Sequence, residues 1–412
     1  MLVQFKMKNV LSFKEETIFD MTAISAYKEH PSNLIDIDKK EKFLRVAAIY
    51  GANASGKSNF VWALKLFRRI VSQSLNNVDD ETESVLKKYS RPFSFEENKG
   101  NSEFEIVLIL GDEEYQYGFE YNSEKIVTEW LYRKNLKANR KAMIFERAMQ
   151  EVNLGASVRK KCEAYKEQIP SETLVLSFFN KLNLKTDIFK TVYSGIMDIL
   201  VFTSDDCENT NFLDAILPRI IDNEKEKLLE FLAAIDIGIK DITYKKKEKE
   251  TLFFTFHKGE DGELYPLNLY DESEGTIKSI MLYIHAHMAI ISNYVLVMDE
   301  LNVKLHPLLL KFFIDLFYNN DSMAQLIYTT HDTTLMDKKF FRRDQIWFVQ
   351  KDELGHSELC ALSDFKVRSD ASFEKDYLAG VYGGIPFLKE FLNITVQMYP
   401  CSEGTDTGSP AL

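Results

Sequence analysis

A short glycine-rich segment, GANASGKS at residues 51–58, constrains the fold of this chain more than any other part of its sequence. It follows the apolar run FLRVAAIY and precedes SNFVWALKLFRRIV, which has the periodicity of an amphipathic helix. A strand, a glycine loop and a helix in this order form the G-x-x-x-x-G-K-[ST] phosphate loop, whose backbone N–H groups surround a phosphate at the helix N-terminus. The segment therefore predicts a nucleotide-binding α/β domain that takes ATP.

Two side chains of this loop have specific expected tasks. Lys57 should bridge the β- and γ-phosphates, and the hydroxyl of Ser58 should be a ligand of Mg²⁺. The predicted nucleotide contacts are Gly51, Asn53, Ala54, Ser55, Gly56, Lys57, Ser58 and Asn59. ATP and Mg²⁺ are therefore the predicted cofactors.

The run VLVMDE places two acidic residues at the end of a buried strand. A phosphate loop needs a carboxylate for Mg²⁺ on a neighbouring strand, and Asp299 is the candidate. Glu300 follows at once and could polarise an attacking water, which favours hydrolysis over transfer or sensing. The alternative is that the two acids only cap the turn after the strand.

Two further segments could complete a site for the phosphates. In DESEGTIK, Ser273 and Gly275 stand at the predicted start of a helix and would form a second anion site, which suggests that two chains enclose the nucleotide. Ser273 could instead be a plain N-cap. His331 ends the predicted strand AQLIYTT and could contact a γ-phosphate, or it could be an ordinary surface or satisfied histidine.

The alternation of buried strands and helices predicts a largely parallel sheet with flanking antiparallel strands and a helical insertion. The predicted division is an N-terminal lobe of the ATPase head at residues 1–150, a helical insertion at 151–236, a C-terminal lobe at 237–395, and a disordered tail at 396–412.

Composition excludes several classes of protein. The chain has 412 residues and a net charge of −12, so contact with nucleic acid would need local basic patches. Four scattered cysteines without a CxxC pair argue against a metal site or disulfide framework, and a reducing cytoplasm is the expected location. No run of 18 apolar residues and no signal peptide is found, so no membrane contact is expected.

The chain has four motifs in a fixed order: the phosphate loop, the Ser-Gly helix start, the Asp-Glu strand end and the histidine. This order resembles that of the ATP-binding-cassette class, in its SMC, Rad50 and RecF branch. More narrowly, the chain resembles the RloA-like or AAA15 prokaryotic ATPases, which are related to the ATPase half of OLD-family nucleases. The segments that carry the resemblance are YGANASGKSN, EWLYRKN, DESEGTIK, MDELNVKLHP, TTHDTTLMD and YLAGVYGGIPFL. It covers residues 1–132 and 265–388.

This resemblance implies a head that dimerises over two ATP molecules, or forms a higher homo-oligomer. It implies that Ser273 reaches the partner's γ-phosphate, that Glu300 is the catalytic base, that His331 is a switch histidine and that His306 lies on the dimer seam. The sequence departs from the pattern of this class at three points. No clear glutamine loop is found, since Gln116 in YQYGFE is a weak candidate that is better explained as a strand residue. No long coiled coil is encoded, and no Toprim-like acidic cluster follows the head.

Three functions remain open at this stage. The main hypothesis is an ATP-hydrolysing switch that controls a protein effector encoded nearby, a nuclease or toxin, in anti-phage or toxin–antitoxin-like defence; the defence role depends on the resemblance alone. The second is a RecF- or Rad50-like clamp on DNA, and the third is a nucleotide sensor without hydrolysis. Basic runs at residues 133–141, 159–161 and 245–249 could follow a nucleic-acid backbone or be solvated loops. The segment at 377–388 is expected to be a tight packed turn or a meeting point with another chain.

Overall fold

The computed structural model describes residues 1–37, 41–75, 84–182, 184–203, 210–235, 237–247, 250–303, 305–367 and 371–385. Its strands are β1 (Leu2–Lys8), β2 (Thr17–Asp20), β3 (Leu34–Asp36), β4 (Lys42–Leu44), β5 (Val46–Tyr50), β6 (Ser102–Leu110), β7 (Glu113–Tyr121), β8 (Ile126–Asn135), β9 (Arg140–Ala148), β10 (Glu151–Leu154), β11 (Ile199–Phe202), β12 (Ile239–Lys246), β13 (Thr251–Lys258), β14 (Leu264–Asn268), β15 (Val295–Met298), β16 (Gln325–Thr329), β17 (Ile346–Lys351) and β18 (Ser357–Ala361). Its helices are α1 (Lys57–Gln73), α2 (Val85–Tyr89), α3 (Ala156–Cys162), α4 (Val175–Lys181), α5 (Ile188–Met197), α6 (Thr210–Ala234), α7 (Glu274–Ser292), α8 (Pro307–Tyr318) and α9 (Phe373–Leu378). The predicted tail at 396–412 lies outside the described residues.

A six-stranded sheet lies at the centre, in the order β11–β15–β16–β5–β17–β18, and its neighbours are parallel except for β17 and β18. Strands β5, β15 and β16 are buried along their whole length, because both faces of the sheet are covered. Ala47 and Ile49 join the core on one face, and Val46 and Ala48 join the core on the other. Parallel pairing brings the carboxyl ends of β5, β15 and β16 to one edge, which is where ligands bind in such sheets.

The parallel sheet with flanking antiparallel strands confirms the α/β class predicted from the sequence. Residues 151–236, predicted as a helical insertion, hold helices α3 to α6 but also give one strand to each of the two largest sheets. β10 pairs with β9, and β11 pairs in parallel with β15. The run ILVF of β11 is short and uniformly apolar, so its periodicity cannot distinguish a strand from a helix. The domain boundaries at residues 150 and 236 stay a prediction.

A seven-stranded antiparallel sheet, in the order β10–β9–β8–β7–β6–β1–β2, packs against helix α1. The contact is aromatic: Phe67 of α1 stacks on Phe119 of β7 with ring centroids 5.7 Å apart, and it meets Phe5 of β1 edge to face at 5.9 Å. Fully burying a side chain of this size stabilises the fold by about 1.5–3 kcal/mol. This packing fixes the helix whose first turn carries the phosphate loop.

A small antiparallel sheet of β12, β13 and β14 forms a separate core with α6 and α7. Helix α6 is interrupted at Glu224, whose backbone angles (φ −144°, ψ 25°) are not helical. The core holds Leu228, Leu232 and Phe253 together with Ile280 of α7. Because α7 also packs on α8 and β15, this sheet is connected to the acidic strand end through one helix. Within the described ranges, no helix combines the length and the apolar character needed to cross a lipid bilayer.

Glu129 of β8 is a buried carboxylate that ties the antiparallel sheet to helix α4. It accepts hydrogen bonds from the hydroxyl of Tyr117 (2.9 Å) and from the backbone N–H groups of Val175 (2.7 Å) and Leu176 (3.1 Å). Burial raises the pKa of Glu129 to about 7, although nearby Arg147 and these donors act in the opposite direction. The folded protein therefore binds a proton here at pH values at which the unfolded chain has lost it.

The raised pKa of Glu129 predicts a pH-dependent stability. Its contribution is present below pH 4.5 and is lost as the pH rises through about 7, because only the folded state resists ionisation. At about 1.4 kcal/mol per unit of pKa, the full loss is on the order of 3–4 kcal/mol. In urea titrations at pH 5 and pH 8, the Glu129→Gln variant should lack this part of the decline. Equal declines in both proteins would contradict the prediction.

Candidate nucleotide-binding site

The glycine loop between β5 and α1 fits its surroundings only because two of its positions have no side chain. A Cβ atom added to Gly51 would lie 2.4 Å from the carbonyl oxygen of Val349, which is backbone and cannot move aside. Gly56 has φ 118°, and a Cβ there would lie 2.3 Å from the hydroxyl of Ser357. Gly56 is also the N-cap of α1, so the loop ends where the helix dipole begins.

A hydrogen-bonded network holds the loop from behind. The hydroxyl of Ser357 donates to the carbonyl oxygen of Ser55 (2.6 Å) and is bonded to the hydroxyl of Ser12 (2.8 Å). Asn59 of α1 donates to Ser12 as well (2.7 Å). Ser12 lies in the run KNVLSF near the start of the chain, and nothing in the sequence indicates Ser357. Asn59, predicted to bind nucleotide, is used here to hold the loop.

Lys57 lies inside the loop and is almost fully buried. Its Nζ atom donates to the carbonyl oxygens of Gly51 (2.8 Å) and Ala52 (2.9 Å) and lies 3.4 Å from Nδ1 of His331. Burial lowers the pKa of Lys57 to about 8, against the attraction of the acidic residues Asp299 and Glu300. A buried cation with a lowered pKa gains from a phosphate group that would supply the missing negative charge.

The acidic pair follows β15 and is fixed by one residue of the neighbouring strand. The hydroxyl of Thr329 donates to Oδ1 of Asp299 (2.5 Å) and accepts from the backbone N–H of Glu300 (2.8 Å). Glu300 has φ 49°, a left-handed conformation that a non-glycine residue adopts at a cost of roughly 1–3 kcal/mol. The sequence did not indicate Thr329, whose role depends on two strands lying side by side.

His331 follows the end of β16, two residues after Thr329. Its Nε2 atom lies 3.9 Å from Oε1 of Glu300, and its other ring nitrogen faces Lys57. Burial, and then the positive charge of Lys57, lower the pKa of His331 below its usual value, against the attraction of Glu300. The lowered pKa favours the neutral imidazole, which can both accept and donate one hydrogen bond.

Lys57, Glu300 and His331 line a cavity of about 430 Å³ at the carboxyl edge of the central sheet, whereas Gly51 and Asp299 are not among its lining residues. Its lining is Asn53, Ala54, Ser55, Gly56, Lys57, Ser58, Asn59, Glu300, His331 and Lys351. Lys351, at the end of β17, had not been singled out in the sequence. The hydroxyl of Ser55 is buried with no hydrogen-bond partner among the described residues, so the cavity wall holds a polar group that a ligand could satisfy.

Mg²⁺ fits the donor set of this site. Magnesium is usually held by one or two carboxylates together with substrate phosphates and water, and Ser58 and Asp299 supply a hydroxyl and a carboxylate. In the described part of the chain, no group of three or more His, Cys, Asp or Glu side chains could hold a metal.

The structure does not bring the other predicted residues to this cavity. Ser273 is the N-cap of α7, where its hydroxyl accepts from the backbone N–H of Thr276 (3.1 Å). His306 is the N-cap of α8, where its Nδ1 atom accepts from the backbone N–H of Leu308 (3.2 Å). Gln116 lies in β7 and donates to Glu105 (2.9 Å), which confirms its interpretation as a strand residue rather than part of a glutamine loop. Gly275, next to Ser273, lies in the first turn of α7.

The aromatic and glycine-rich segment near the C-terminus packs behind the loop. The ring of Tyr377 stacks on Phe348 with centroids 5.3 Å apart, and its hydroxyl donates to the carbonyl oxygen of Gly384 (3.0 Å). A Cβ added to Gly384 would lie 3.7 Å from the Cα atom of Gly51. The tight packed turn expected from the sequence is confirmed over the described part of this segment, residues 377–385.

Three features meet at the ends of the adjacent parallel strands β5, β15 and β16: a phosphate loop, an acidic pair and a histidine. Together they define a P-loop ATPase domain. A family model described as "AAA domain, putative AbiEii toxin, Type IV TA system" matches residues 46–148 and 182–337. The chain belongs to this family.

Solved structures of SMC heads are similar in fold. The SMC head domain from Thermotoga maritima is 14% identical, with a TM-score of 0.40, over 87% of this chain and 98% of that one. An SMC head bound to the C-winged helix domain of ScpA is 14% identical, with a TM-score of 0.43, over 92% and 99%. An SMC head with an extended coiled coil, bound to the C-terminal domain of ScpA from Pyrococcus furiosus, is 13% identical, with a TM-score of 0.40, over 92% and 98%. None of the curated proteins matches this chain.

Proposed function

We propose that this protein hydrolyses ATP and uses the cycle to close and open a pair of heads. The observation that carries the proposal is the meeting of three groups from three separate segments at one cavity. Lys57 lies 3.4 Å from His331, and His331 lies 3.9 Å from Glu300. Lys57 supplies positive charge for phosphates, and Glu300 is a carboxylate within reach of a water on the open side of the cavity.

Each side chain has a distinct task in this proposal. The loop residues around Gly51 and Gly56 hold the phosphates through backbone N–H groups, and Lys57 bridges the β- and γ-phosphates. Ser58 and Asp299 hold Mg²⁺, which neutralises charge on the phosphates when it is bound. The remaining nucleotide contacts are proposed for Asn53, Ala54 and Ser55, with Asn59 supporting the loop.

Glu300 takes the proton of the attacking water, and His331 contacts the γ-phosphate. The hydroxyl of Thr329 keeps Asp299 and Glu300 in fixed relative positions through the hydrogen bonds that it makes to both residues. The strained backbone of Glu300 thus serves to aim its carboxylate towards the cavity.

We further propose that a second copy of the chain completes the site. Ser273 and Gly275 do not line the cavity of their own chain, but they begin a helix and could meet the phosphates of a partner. His306 stands next to exposed apolar residues: Leu308 is 69% exposed and Val303 is 39% exposed. An apolar surface beside the acidic strand end would be covered if two heads closed on each other.

The shared site predicts a large effect of Ser273→Asp. Aspartate keeps the N-cap of α7, because it is as good a cap as serine, but it brings a negative charge to the partner's phosphate. We expect ATP turnover to fall at least about tenfold, while ATP binding by the single chain stays unchanged. Mixing Ser273→Asp with Lys57→Met chains should restore part of the turnover, because one of the two composite sites is then intact.

Ser372→Asp is the matched control, because Ser372 is also a serine N-cap, on helix α9, and accepts from the backbone N–H of Lys375. It should leave turnover unchanged. If Ser273→Asp were as active as the wild type, or if mixing restored nothing, the second copy would not complete the site.

The task of the cycle is proposed to be control of a protein effector in the cytoplasm, such as a nuclease or toxin encoded nearby. The family description names a toxin–antitoxin system, and the resemblance to RloA-like or AAA15 ATPases points to anti-phage defence. Co-purification with the products of neighbouring genes, with mass measurement with and without ATP, tests this assignment. A protein that co-purifies with none of them, and whose mass ATP does not change, would contradict it.

A further inference from the structure

A second cavity, of about 570 Å³, lies between the β8–β9 hairpin and helix α3 and shares no residue with the loop cavity. Its lining includes three arginines from three elements: Arg133 of β8, Arg140 of β9 and Arg159 of α3. We call it the arginine groove. The basic runs at residues 133–141 and 159–161, separate in the sequence, meet on this one surface.

A close backbone approach brings the two runs together. Gly155 precedes α3 and donates its backbone N–H to the carbonyl oxygen of Ile144 (2.8 Å) in β9. A Cβ at this position would lie 2.0 Å from the carbonyl oxygen of Met143, so only glycine lets the chain pass so near the strand. Helix α3 starts directly afterwards and places Arg159 across the groove from Arg140.

The charges of the groove are only partly neutralised. Glu113 is its one acidic lining residue, and Glu113 is paired with Arg133 at 3.7 Å. The Nε atom of Arg159 donates to the carbonyl oxygen of Leu154 (3.0 Å), which orients the guanidinium and leaves its other N–H groups available. Neither Arg140 nor Arg159 makes an ion pair with any described residue.

The surroundings strengthen this positive charge. Residues 133–161 contain nine lysines and arginines in a chain whose net charge is −12, but Arg147 is buried and Arg133, Lys134 and Lys137 are paired with acidic residues. The positive charges that remain beside the groove are those of Arg140, Lys141, Arg159, Lys160 and Lys161. A local group of cations on an otherwise acidic protein attracts polyanions through its summed field. Guanidinium groups match phosphate oxygens geometrically, with two parallel N–H···O bonds.

We propose that the arginine groove binds the phosphate backbone of a nucleic acid. Besides the arginines, its lining has small or polar residues such as Ala138, Ser157 and Ala156, and no aromatic ring. The groove therefore lacks both the aromatic anchors typical of protein–protein hot spots and a platform for base stacking. Contact through phosphates alone makes the binding independent of sequence and sensitive to salt.

The test is fluorescence anisotropy with a labelled 20-base-pair DNA duplex, its single strand and the matching RNA, at several salt concentrations. The Arg140→Ala, Arg159→Ala double variant should bind at least about tenfold more weakly at low salt. The slope of log affinity against log salt should fall by about 2, because each lost phosphate contact removes about one unit. The three probes decide which nucleic acid is preferred.

Lys246→Ala with Lys247→Ala is the matched control, since it removes two exposed positive charges from the third basic run, which does not line the groove. This control should keep the wild-type affinity and salt slope. Basal ATP turnover of the double arginine variant should equal that of the wild type, so failure here is distinct from failure of the proposed ATPase. Equal losses of affinity in both double variants would overturn the proposal. So would binding of an acidic polypeptide such as polyglutamate by a protein that binds none of the three probes.

Discussion

Replacing Glu300 by glutamine should lower ATP turnover by at least about 100-fold while ATP still binds. A positioned general base contributes roughly 10²–10⁴-fold to a rate, and glutamine has the same shape without the ability to take a proton. The backbone of Glu300 keeps its hydrogen bond to Thr329 in the variant, so the geometry of the acidic pair is retained. The measurements are phosphate release in the presence of Mg²⁺ and retention of labelled ATP after gel filtration.

Glu374→Gln is a suitable control for this experiment. Its carboxylate accepts from the hydroxyl of Thr333, two residues beyond His331, but does not line the loop cavity. It should hydrolyse ATP at close to the wild-type rate. Turnover of Glu300→Gln within about twofold of the wild type would remove Glu300 from the reaction. The nucleotide-sensor hypothesis would gain instead if the wild type bound ATP tightly without releasing phosphate.

Replacing Lys57 by methionine should weaken ATP binding by about 10- to 100-fold. Hydrogen bonds to charged groups contribute about 1.5–3 kcal/mol, and 1.4 kcal/mol corresponds to a factor of ten. The nucleotide-free protein should not lose stability, because burial already opposes the charge of Lys57 and lowers its pKa to about 8. Binding is measured by titration calorimetry, and stability is measured by thermal unfolding without nucleotide.

Lys351→Met provides the comparison, since Lys351 lines the same cavity but is exposed to solvent. A solvated charge contributes about 0.2–1 kcal/mol, so the loss of affinity should be at most about fivefold. If the two variants lost affinity equally, general positive charge rather than the buried position of Lys57 would hold the phosphates. If Lys57→Met unfolded at a much lower temperature than the wild type, its lysine would be a structural residue.

The sequence predicted those features that depend on local pattern. Uniformly apolar runs indicated the buried strands β5, β15 and β16, and the spacing of glycines and lysine indicated the loop from Gly51 to Ser58. Because these strands are parallel, their carboxyl ends meet, and the predicted residues Lys57, Glu300 and His331 share one cavity. The periodicity of a segment is sufficient for predictions of this kind.

The residues that were missed owe their role to partners distant in the chain. Ser357 lies 302 residues from Ser55, whose carbonyl oxygen it binds, and Thr329 lies 30 residues from Asp299. A lone serine or threonine has no local signal that distinguishes such a contact from solvent exposure. Gln116, in contrast, was correctly interpreted as a strand residue, because the alternating run around it is a local pattern.

The contacts behind the glycine loop have a consequence for the order in which the protein matures. Ser12 precedes the loop, but Ser357 and Gly384, which close around Gly56 and Gly51, are translated about 300 residues after it. A nascent chain therefore carries the complete loop sequence long before it can hold the loop in shape. Chains that stop before residue 357 lack the contacts of Ser357 and Gly384 with the loop. We therefore expect nucleotide binding to appear only late in synthesis, after these residues have been added.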